Sequence, residues 1–118
     1  MADGVDNHFL AVIEREFPKH AEFHVRRESD DICIYIDWQL GTDPARQNKR
    51  SKKIKICIDR AAVDDYTDGS ENNRQQADER LRSAVAALLL MFDPDHNSRA
   101  HEPVPIEQWT ITTEMLNS

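Results

Sequence analysis

DICIYIDW, residues 31–38, alternates without a break. Ile32, Ile34, Ile36 and Trp38 fall on one side of an extended chain; Cys33, Tyr35 and Asp37 fall on the other. Period-two spacing of β-branched and aromatic residues is the pattern of a strand with one buried face. KIKICID, residues 53–59, repeats it with Ile54, Ile56 and Ile58 on one face and Lys55 and Cys57 on the other. A polar stretch with a turn signal at Asp43-Pro44 separates the two runs. Together they read as an antiparallel hairpin with one isoleucine face and a long tip.

An isoleucine face needs a cover, and the flanking segments carry helical patterns that can supply it. Val5, Phe9, Val12, Ile13 and Phe17 recur at helical spacing, which predicts a helix over 5–17 that Pro18 ends. Ala77, Leu81, Ala84, Val85, Leu88 and Phe92 make a second stripe, predicting a helix from about Asn72 to Phe92 with Asn73-x-x-Gln76 at its start. The last two turns of that helix are apolar all round, which places them in a deep core or at a subunit contact. HAEFHVRRE (residues 20–28) alternates as a strand, and IEQWTITT (residues 106–113) reads as a last strand. AVDDYTDGSENN (residues 62–73) reads as an acidic, turn-rich connection, and the final MLNS as a frayed end. The expected order is α-β-β-β-α-β, a single α+β domain over 1–118. It forms a two-layer sandwich with a mainly antiparallel sheet and two helices on one face.

The second sheet face would then carry His24, Arg26, Cys33, Tyr35, Lys55 and Cys57 and stand open. Tyr35, Cys33 and Cys57 are its candidate residues for protein interaction. Neither cysteine belongs to a C-x-x-C, and two reduced thiols on a sheet are the ordinary reading.

Charge is unevenly placed. The chain carries a formal −7, yet Arg46, Lys49, Arg50, Lys52, Lys53 and Lys55 lie within ten residues that hold no acid. The remaining nine cations face 22 carboxylates, so the rest of the chain sums to −13. An acidic body argues against a general nucleic-acid coating protein. The six cations remain candidates for contact with an anionic partner. No aromatic residue interleaves them, which argues against base stacking. Solvated lysines beside a sheet also discourage edge-to-edge aggregation.

Motifs for chemistry are scarce. His20 and His24 would adjoin on a helix, but on a strand they stand about 13 Å apart. Asp93, Asp95 and Asn97 match the first ligands of a calcium loop; Ser98 and Val104 then stand where glycine and glutamate are needed. Tyr66 interrupts the acidic run at 64–68 in the same way. Three glycines (Gly4, Gly41, Gly69) cannot build a phosphate-binding loop, and no nucleophile elbow occurs. No catalytic, cofactor or metal residue is assigned. The longest apolar run, AVAALLLMF (residues 84–92), is about half of what crosses a bilayer. The start MADGVDNHFLAVIEREF lacks a cationic leader, so no membrane partner and a cytoplasmic location are expected.

Through residues 5–92 the element order resembles that of double-stranded-RNA-binding domains. The positions that grip RNA in that family are here the acidic Glu28-Ser29-Asp30-Asp31 and the lysine-free ENNRQQADER, so no RNA contact is carried over. The order is also similar to that of small dimeric chaperones of bacterial secretion effectors, which continue with a further strand and helix. DICIYIDW, KIKICID and FDPDHNSRAHEPVPIEQW resemble short β-proteobacterial proteins of a family without an assigned function. That resemblance implies a bacterial source and a single domain, and it carries over no site residue. The expected function is a non-enzymatic interaction module, through protein–protein contact or self-association. The alternative is polyanion or nucleic-acid binding through residues 46–55.

Overall fold

The computed structural model describes residues 3–40, 50–95 and 104–117. Its elements are α1 (Asp3–Glu14), β1 (Glu22–Glu28), β2 (Asp31–Asp37), β3 (Lys53–Ile58), α2 (Arg60–Asp68), α3 (Glu71–Leu90), β4 (Ile106–Ile111) and α4 (Thr113–Asn117). The sheet order is β1-β2-β3-β4. The first three strands pair antiparallel, and β4 lies parallel to β3. The fold is α+β, as the alternation predicts.

The isoleucines set the register. Ile32, Ile34 and Ile36 stand opposite Ile58, Ile56 and Ile54, and Trp109 and Ile111 of β4 continue two of these rows. All six isoleucines are fully buried. A one-residue slip would exchange them for Cys33, Tyr35 and Lys55, so burial of one face fixes the pairing. Phe9 and Ile13 of α1, Ala62 and Val63 of α2, Ala77, Leu81 and Val85 of α3, and Leu116 of α4 close over the isoleucines as one core.

Beyond β2 the ladder is prolonged by a polar residue. Ser51 is fully buried, and its N–H donates to the Trp38 carbonyl (2.7 Å) while its Oγ accepts from the Trp38 N–H (3.1 Å). Gln39 and Arg50 bridge one step further. The β1–β2 turn is the two-residue Ser29-Asp30, both at positive φ (53° and 71°), the signature of the primed turns that match strand twist.

Two expectations are corrected. The stretch read as an acidic connection forms α2. The Asp31 carboxylate on β2 accepts from the Arg60 N–H (2.8 Å), supplying a cap from a distant strand, and Ala62 and Val63 bury into the core. The end read as frayed forms α4. Leu116 enters the core and its carbonyl accepts from Arg80 Nη1 (2.9 Å). The helix expected from about Asn72 starts at Glu71. Ser70 is its N-cap, with its side chain accepting from the Asn73 N–H (3.2 Å). Among the described residues four helices therefore cover the sheet, where the apolar stripes announce two. Among the described residues no helix is long and apolar enough to cross a membrane.

Candidate functional site

The face of the sheet turned away from the helices carries the densest polar chemistry. Its cross-strand rows follow from the register: His24, Tyr35, Lys55 and Gln108 form one, and Arg26, Cys33, Cys57 and Thr110 the next. Glu28 at the end of β1 reaches back over both. Its carboxylate accepts from the Tyr35 hydroxyl and from Lys55 Nζ (3.0 Å). The Lys55 ammonium and the Arg26 guanidinium each lie 5.5 Å from the Tyr35 ring centroid. Cations on a phenol face reinforce the cluster.

This packing changes the thiols. Read from the alternation, Cys33 and Cys57 stand on an open face; in the fold they are 2% and 7% exposed. A cysteine is short, and long polar neighbours lie across it. The Sγ atoms are 3.0 Å apart and both are free thiols. Glu28, Asp31, Lys55, Cys57 and Asp59 help line a hollow of about 230 Å³ over the pair. Tyr35 is half-buried, and the face around it is a polar mosaic on which His24, Arg26, Gln108 and Thr110 are exposed.

The electrostatics follow from the contacts. Tyr35 and then Lys55 donate to Glu28 and hold its carboxyl below the usual range. The same contact with Glu28 raises the Tyr35 phenol and the Lys55 ammonium. Burial, with Cys57 alongside, pushes the Cys33 thiol up to about 12. A carboxyl with a lowered folded pKa contributes stability above its unfolded pKa and loses it as pH falls through the folded value. In an NMR pH titration Glu28 is therefore expected to titrate below an ordinary glutamate. Tyr35→Phe should move it upward more than Lys55→Met does. An ordinary midpoint in the unmodified protein would remove the cluster.

The cations of the basic segment differ in their surroundings. Arg46 and Lys49 lie outside the described residues. Arg50 is held by Asp37 (3.0 and 3.2 Å) and by Glu22 (3.4 Å), and Asp37 above all raises its pKa. Lys55 is held by Glu28. Among the described residues no carboxylate pairs with Lys52 or Lys53; the Lys52 ammonium stands 6.0 Å from the Phe92 ring centroid. Counting charge along the chain misses these partners, since Glu22, Glu28 and Asp37 come from other strand positions.

A second cluster was not read from the sequence. His8 Nε2 lies 2.9 Å from Asp78, and the His8 ring lies 5.7 Å from the Tyr66 ring between centroids, bringing α1, α2 and α3 together. Burial first, then Asp78, raises the Tyr66 phenol. Phe9 packs against Tyr66 in a tilted ring contact at 4.8 Å between centroids. The only sequence signal was Tyr66 inside an acidic run, where it reads as an interruption. Across the described residues no three His, Cys, Asp or Glu side chains converge as a metal cage. Most of the 93–102 loop lies outside that description.

One feature of α3 has no cover among the described residues. Leu90 and Met91 are each 89% exposed at the end of its apolar run, beside Phe92, which turns inward against Trp38 and Trp109. Comparison with protein-family models, with curated proteins and with solved structures gives no match to this chain.

Proposed function

We propose that the chain is a non-enzymatic interaction module that self-associates through the end of α3. The exposure of Leu90 and Met91 carries this reading. Fully burying one such side chain is worth about 1.5–3 kcal/mol, so two adjacent ones favour a contact that covers them. A two-fold contact between copies meets each patch with its own image, which makes one short apolar segment sufficient on both sides. The run of alanines before it, Ala84, Ala86 and Ala87, lets a second helix approach closely.

Light scattering coupled to size exclusion tests this. The native chain is expected to run larger than a monomer at high concentration. Leu90→Glu with Met91→Glu should give a monomer with unchanged far-UV circular dichroism, because neither side chain supports the core. A native chain that stays monomeric overturns the reading. Salt sharpens the test: two copies at −7 each repel, so added salt should strengthen self-association.

The alternative, contact with a polyanion through Arg46, Lys49, Arg50, Lys52, Lys53 and Lys55, is favoured only by the lack of carboxylate partners at Lys52 and Lys53 among the described residues. It predicts the opposite salt response, because binding releases counterions.

A further inference from the structure

We propose that Cys33 and Cys57 form a reversible intramolecular dithiol–disulfide site built into the centre of the sheet. The two residues are directly opposed on neighbouring antiparallel strands, and their sulfurs are already 3.0 Å apart. Directly opposed side chains have Cβ atoms about 4.5–5.5 Å apart, close to the about 3.5–4.5 Å that a disulfide requires. The strands bearing them are the two central ones, pinned by the fully buried isoleucines on the reverse face. The thiols are therefore held at contact by the fold and need no loop movement to meet.

Cys57 is the more exposed of the two, and both line the hollow bounded by Glu28, Asp31, Lys55 and Asp59. Burial keeps Cys33 protonated at neutral pH, so Cys33 suits the second step and not the first. With a small-molecule disulfide as oxidant, Cys57 gives up its proton to solvent and its sulfur attacks one sulfur of the oxidant. A mixed disulfide forms and one thiol leaves. Cys33 then loses its proton and attacks Cys57 Sγ, and the second thiol leaves. One disulfide is reduced to two thiols, and the protein dithiol is oxidised to one disulfide. The new bond closes the chain from Cys33 to Cys57, the span that contains the whole basic segment.

The test uses the full chain in buffers of graded oxidised-to-reduced glutathione ratio. Samples are quenched in acid, alkylated after denaturation and read by intact mass and peptide mapping. Both thiols are expected to be lost together, giving a species lighter by two hydrogens with Cys33 joined to Cys57 in one chain. Reducing buffer should restore them. Cys33→Ser should stop at a glutathione adduct on Cys57 that the native chain does not retain. Three results would each overturn the site, provided circular dichroism shows the native fold. These are thiols that survive the most oxidising buffer, a retained adduct on the native chain, or a bond formed only between chains.

Discussion

Ile56→Ala is expected to lower the unfolding free energy by about 3–4 kcal/mol. Ile56 is fully buried at the middle of β3, with Ile34 beside it on β2 and Trp109 on β4. Truncation removes the transfer energy of the lost carbons and leaves a void. The void cannot collapse, because a rigid ladder supports it from both sides. Against a typical total of about 5–15 kcal/mol this is a large fraction of the stability. Urea denaturation followed by circular dichroism measures it as a shift in midpoint at constant slope. Ile106→Ala is the matched control. The side chain is the same, but Ile106 is 57% exposed at the start of β4, and the change should stay within about 0.5 kcal/mol. Equal losses at the two positions would contradict the burial assigned to the isoleucine face.

Trp109→Ala should cost as much or more, about 3–5 kcal/mol. Trp109 is buried, and with Ile111 it is what β4 inserts into the core. It also ends a run of ring contacts. Phe23 meets Phe17, Phe17 meets Trp38, Trp38 meets Phe92 and Phe92 meets Trp109, at centroid distances of 5.8–6.1 Å. That run anchors the C-terminal end of α3 to the sheet. Its loss frees Phe92 as well as β4, so the damage extends beyond one side chain. The indole N–H also donates to Glu107 (2.7 Å). Denaturation by urea gives the loss, and near-UV circular dichroism reports whether the remaining Trp38 keeps its fixed environment. A variant that loses less than the Ile106 control would remove Trp109 from the core.

Physical reasons separate the legible parts of this chain from the rest. The isoleucine strands were legible because period two with a β-branched face has one structural meaning. The long helix was legible from Ala77, Leu81 and Val85, which recur at four-residue spacing and are all buried. α2 was not, because AVDDYTD fully buries only Ala62 and Val63, with Tyr66 packed at the core's edge, and its cap comes from Asp31, far away in sequence. α4 was not, because five residues have little helical tendency alone and depend on Leu116 docking.

The same division runs through the candidate site. Alternation alone placed Cys33, Tyr35, Lys55 and Cys57 on one face. It could not say that Glu28 would fold over them, that the thiols would be buried and in contact, or that Asp37 and Glu22 would engage Arg50. It flagged the apolar end of the second helix but left open whether the core would absorb it; the fold turns Phe92 inward, half-buried, and leaves Leu90 and Met91 outside. By itself the sequence determined which residues share a face, because that depends on backbone periodicity within one element. Only the tertiary structure decided which faces meet and which charges are paired. Those outcomes depend on register and on side chains brought together from distant positions, and no local pattern encodes either.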